Sequence, residues 1–104
     1  MIRRRPQVEI DLFELADFIA ASDFDAAIRF INAAEDTIDK LGGSPSLGNQ
    51  FLHGPVALEM FRFWRIDKHP HHLIFYISDG EEIEIVRVLH SSRDIGKALA
   101  EVQP

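Results

Sequence analysis

Apolar positions recur at helical spacing through the first part of the chain and as dense β-branched and aromatic runs through the second, which separates a helical half from a sheet half. Between Val8 and Ser22, residues Val8, Leu12, Leu15, Ala16 and Ile19 form one stripe and predict an amphipathic helix. Ile10, Phe13 and Phe18 fall outside that stripe. Ser22 and Asp23 offer an N-cap for a second helix, with Asp25 in its first turn. Phe24, Ala27, Phe30, Ile31, Ala34, Ile38 and Leu41 make its apolar stripe, and Gly42-Gly43 ends it. So short a link predicts an antiparallel helical hairpin, with Ala20, Ala21, Ala26, Ala27, Ala33 and Ala34 allowing close approach.

The second half reads as strands. Leu73 to Ile77 and Ile83 to Leu89 flank Asp79-Gly80, a pair suited to a type I′ turn, so Ser78 is expected to face Glu81. In that register Ile74 and Tyr76 share a face with Ile83 and Ile85, while Leu73, Phe75 and Ile77 share the other with Val86, Val88, Glu82 and Glu84. Both faces are partly apolar and need cover, and a small chain has helix for one. Ala57 to Ile66 predicts a preceding strand, joined by a turn around Asp67-Lys68-His69-Pro70, and Gly43 to Pro55 is loop by its Gly, Pro and Ser content. Ile2 to Gln7, basic and closed by Pro6, predicts an edge strand or extended lead-in. Gly96 to Val102 is left as a short final helix or tail. The expected class is α+β, a single domain over residues 1–104: strand, helical hairpin, three-stranded antiparallel meander.

Composition narrows the function classes. With 46% hydrophobic and 27% charged residues the chain is an ordinary globular one, and with no cysteine it forms no disulfide. Met1 to Arg5 is basic but no apolar core follows, and no apolar run reaches the roughly 20 residues of a membrane span, so a cytoplasmic protein with no membrane partner is expected. The net charge of −6 is concentrated between Val8 and Leu41, where nine acids face only Arg29 and Lys40. A chain whose main ligand is RNA phosphate carries a broad basic surface, and this one does not. His69-Pro70-His71-His72 lacks the spacing and the accompanying carboxylates of a metal site, so neither metal nor cofactor is expected and the histidines read as a hairpin rim.

The run Ile74-Phe75-Tyr76, a turn, then I-x-I-V-R-V-L-H-x-x-R-D-I from Ile83 to Ile95 resembles the C-terminal half of ParE toxins in the RelE/ParE toxin–antitoxin superfamily. Pro45-Ser46-Leu47-Gly48 resembles the loop that follows the second helix in such chains. The resemblance implies a RelE/ParE-like fold and a toxin that binds and inhibits DNA gyrase and is neutralised, in a hetero-oligomeric complex, by a ParD-like antitoxin. Ile10, Phe13, Phe18 and Ile28 are then the expected antitoxin-binding residues, and Arg93 and Trp64 the target-binding ones. The alternative is a RelE-like, ribosome-dependent mRNA endoribonuclease. There His90 moves a proton, Arg93 or Arg87 stabilises charge on phosphate, and Tyr76 is a third choice for proton transfer. Leu58-Glu59 stands where ParE-like chains often have Leu-Arg, which removes a cation that ribonuclease relatives keep and favours a binding protein over an enzyme.

Overall fold

The computed structural model describes residues 1–102. Strand β1 (Ile2–Arg4) leads into helix α1 (Pro6–Ala20), then α2 (Phe24–Gly43), strands β2 (Asn49–Gln50), β3 (Arg62–Ile66), β4 (His69–Ser78) and β5 (Ile83–His90), and a final helix α3 (Ile95–Ala100). The five strands form one sheet in the order β1-β5-β4-β3-β2. β3, β4 and β5 are the expected antiparallel meander, and β1 joins it parallel to β5. The α+β arrangement of strand, helical hairpin and meander is therefore the one expected.

Local chemistry explains where the boundaries differ. The lead-in strand stops at Arg4 because Pro6, whose missing N–H costs nothing in a first helical turn, opens α1. Asp23 caps α2 by accepting the Ala26 N–H at 3.0 Å. The strand expected from Ala57 begins only at Arg62, because Val56–Leu58 forms a 3-10 turn that lets Leu58 and Phe61 reach the core. The turn expected over four residues narrows to Asp67-Lys68, with Lys68 at positive φ, and His69 and Pro70 belong to β4. Pro70 is tolerated there because the β3–β4 register slips between Arg65 and Ile66, so its missing donor breaks no ladder bond.

The β4–β5 turn is wider than a type I′ turn: Ser78 pairs with Ile83, not Glu81. The Asp79 carboxylate accepts the Glu81 and Glu82 amides at 3.0 and 2.8 Å, which withdraws both from the ladder, and Gly80 supplies a φ of 100°. A bulge opposite Phe75 and Tyr76 then changes which face each residue takes. Ile83 and Ile85 lie with Tyr76 as expected, but Val88 pairs with Ile74 and joins that face instead of the Phe75 face.

Both sheet faces are covered. On one, α1 and α2 pack Val8, Leu12, Phe30, Ile38 and Leu41 onto Ile74, Tyr76, Ile85 and Val88. On the other, Phe51, Leu58, Phe61, Ala98 and Leu99 from the loop and α3 cover Phe75, Val86 and Leu89. The small chain thus covers its second face mostly with loop. Phe24, placed by its spacing in the α2 stripe, is exposed in the first turn of that helix.

No helix among the described residues is long and apolar enough to cross a membrane.

Candidate functional site

Two surfaces stand out, one on each side of the sheet. The first belongs to the helical hairpin. α1 buries Val8, Asp11 and Leu12 fully and packs Leu15 and Ile19 partly against the core, which leaves Ile10, Phe13 and Phe18 outside. Phe13 is 72% exposed and Phe18 82%, with Ile10, Phe24 and Ile28 also in solvent. Phe13, Phe24, Ile28 and Ile31 border an apolar groove of about 180 Å³ between the two helices, floored by Ala20 and Ala27. The alanines expected to bring the helices together also leave this trough open. All four residues expected to bind a partner, Ile10, Phe13, Phe18 and Ile28, therefore lie at the surface of one hairpin.

The second surface is a cavity of about 460 Å³ on the loop-covered face, with Phe51, Phe63, Leu73 and Phe75 as its apolar wall and His53, Arg93 and Asp94 at its mouth. Phe51 stands edge-on to Phe63 and Phe75 at 6.4 and 6.3 Å. Arg93 is exposed and has no ion-pair partner among the described residues. The Asp94 carboxylate is engaged instead, accepting the Lys97 N–H at 3.1 Å as the cap of α3. This cavity and His53 beside it escape a reading of the sequence; the signal that could have found them is the pairing of Phe63 with Phe75 in adjacent strands, which places their rings 5.8 Å apart.

The residues considered for catalysis are scattered. Arg87 does not face a substrate: its guanidinium donates from Nε and Nη2 to the Asp11 carboxylate at 2.8 and 3.0 Å, and the two side chains are 10% and 4% exposed. The Asp11 hydrogen bond, offset by burial, raises the Arg87 pKa further. Asp11 Oδ2 also accepts the Val88 N–H at 3.0 Å, taking a ladder donor that β1, ending at Arg4, leaves free. Tyr76 is fully buried; its hydroxyl donates to the Pro45 carbonyl at 2.7 Å and accepts the Gly48 N–H at 2.9 Å. Burial pushes the Tyr76 phenol up, and it anchors the loop that follows α2. His90 closes β5, where its Nδ1 accepts the Ser92 N–H at 3.0 Å.

Trp64 and Arg93 do not share a surface. Trp64 pairs with Ile74 and packs on the helix side, its ring 5.1 Å from the Arg65 guanidinium, whereas Arg93 lies at the cavity on the opposite face. Among the described residues, Arg87 and Tyr76 are thus tied up within the fold and do not join His90 and Arg93 at one open point.

No curated protein matches the chain. The model of the ParE toxin family, described as the ParE toxin of the type II toxin–antitoxin system parDE, matches residues 2–95. Nearly the whole chain, from β1 to the first residue of α3, is thus accounted for, and the protein belongs to the ParE toxin family of type II toxin–antitoxin systems.

Proposed function

We propose that this toxin acts by binding: it inhibits DNA gyrase and is neutralised by a ParD-like antitoxin that covers the groove between α1 and α2. The observation that carries the reading is the unburied apolar face of that hairpin, with Phe13 and Phe18 largely in solvent and Ile10, Phe24 and Ile28 exposed on the same two helices. Exposed apolar area of this kind marks a protein contact. An amphipathic helix of the antitoxin would set its apolar residues against Ile10, Phe13, Phe18 and Ile28. On the opposite face, Arg93 beside the aromatic cavity supplies a cation for the target.

The endoribonuclease alternative finds little support in the side chains. Arg87 is committed to Asp11 and Tyr76 to Pro45 and Gly48, which leaves His90 and Arg93 without the remaining groups such a reaction needs. Adding the purified toxin to gyrase with supercoiled DNA, and separately to translating ribosomes, decides between the two. Stalled gyrase–DNA cleavage complexes with intact mRNA are expected. Site-specific mRNA cuts that disappear in Arg93→Ala would overturn the proposal in favour of a ribonuclease.

A further inference from the structure

Four of the five histidines meet at one corner of the sheet. β4 contributes His69, His71 and His72, and β5 ends on His90, the register partner of His72. The His72 and His90 rings stand edge-on at 5.0 Å, His71 stacks on His90 at 6.2 Å, and His69 lies 6.1 Å from His72. Phe30 of α2 closes the helix side, 4.9 Å from His72 and 5.2 Å from His69. The charged groups that reach this corner border a groove shared with His69: Arg29 and Asp36 from α2, and Asp67 and Lys68 from the β3–β4 turn. Asp67 is held by Lys40 at 2.9 Å, so it is not free to neutralise a new imidazolium. No group of three or more His, Asp or Glu among the described residues can hold a metal ion, and the chemistry left to imidazoles so placed is protonation.

One of these rings is mechanically coupled to its surroundings. His90 Nδ1 accepts the Ser92 N–H at 3.0 Å, which requires a neutral ring carrying its hydrogen on Nε2. An imidazolium has N–H at both nitrogens and cannot accept, so a proton on His90 breaks that bond. The same turn is held by the Ser91 N–H to the His71 carbonyl at 2.7 Å and the Arg93 N–H to the His90 carbonyl at 3.1 Å. Those two are main-chain bonds, and the imidazole supplies the third tie of the turn that carries Arg93. Burial against Phe30 pushes His72 down to about 4, with further lowering by charge on His90, His69 and His71.

We infer that this corner is a proton-operated latch: neutral His90 ties down the Ser92 N–H, and protonating it breaks that tie and loosens the turn from Ser91 to Asp94 that carries Arg93. The latch is independent of which macromolecule the toxin binds. Its test is nitrogen-detected NMR of the histidine rings together with amide exchange of the whole chain between about pH 7.5 and about pH 5. The expected result is a His90 ring protonated only at Nε2 at the higher pH. Acidification should then lower the protection factor of the Ser92 amide roughly tenfold, the scale of one lost hydrogen bond, while amides in the middle of β4 stay protected. In His90→Asn the side-chain oxygen can accept the N–H two residues on without titrating, and Ser92 protection should become independent of pH. A neutral His90 with its hydrogen on Nδ1, unchanged Ser92 protection on acidification, or the same loss in His90→Asn would each overturn the latch. Should that variant fail to fold, the tautomer and protection of the unaltered protein decide.

Discussion

Asp11 shows how far one residue's environment can depart from its surroundings in sequence. It lies in an acidic helix whose other carboxylates face water, yet it is buried and accepts four hydrogen bonds, two from Arg87, one from Val88 and one from the Gln7 side-chain amide. Removing one partner of a buried ion pair leaves the other charge uncompensated, so Asp11→Ala should cost about 3–5 kcal/mol in urea unfolding. Asp11→Leu combined with Arg87→Met should recover part of that loss, because no charge is then stranded and only the Val88 N–H and the exposed Gln7 amide lose a partner. An Asp11→Ala protein as stable as the original would contradict this account. His72 makes a second prediction at the same scale. Its folded pKa is lowered from 6.5 to about 4, so the unfolded chain takes up the proton first as pH falls. The stability this ring allows is complete above about pH 6.5 and declines between there and pH 4. Allowing for solvent screening of a half-buried ring, about 1 kcal/mol should be lost between about pH 7 and about pH 5. His72→Phe should flatten that decline in a thermal melt followed across the same range.

At the level of elements, packing and apolar surplus can be told apart by substitution. Phe13→Ser and Phe18→Ser on α1 should change unfolding free energy by no more than about 0.5 kcal/mol, because neither ring is buried. Gly48→Ala should behave in the opposite way. A Cβ there would lie 2.4 Å from the Tyr76 hydroxyl, and that buried tyrosine holds Pro45 and Gly48 by hydrogen bonds, so a loss of about 1–3 kcal/mol is expected. The same contrast explains what was legible in the sequence. The α1 stripe, the Asp23 cap and the strand runs were readable because each is set by neighbours within one or two turns. The apolar surplus of Ile10, Phe13 and Phe18 was readable too, as the residues left over once a stripe was assigned. What escaped depends on partners far along the chain: Arg87 finds Asp11 across 76 positions, and Tyr76 finds Pro45 across 31. The β4–β5 register escaped for a local reason, since the Asp79 side chain captures two amides that a type I′ turn would have left to the ladder.

For the molecule as a whole, the sheet separates two kinds of surface. The helix side carries an acidic stretch broken by an apolar groove, and the loop side carries an aromatic cavity with Arg93 at its mouth. A chain of net charge −6 has little general attraction for nucleic acid, which favours the proposal that it works through shaped contact with other proteins. The most direct test of that claim is calorimetric titration of the cognate antitoxin into the toxin and into a Phe13→Asp, Phe18→Asp variant whose fold has been confirmed by its thermal melt. The account predicts tight binding to the first and at least about a hundredfold weaker binding to the second, the scale expected when two anchors near the centre of an interface are lost. Equal affinity for both would contradict it.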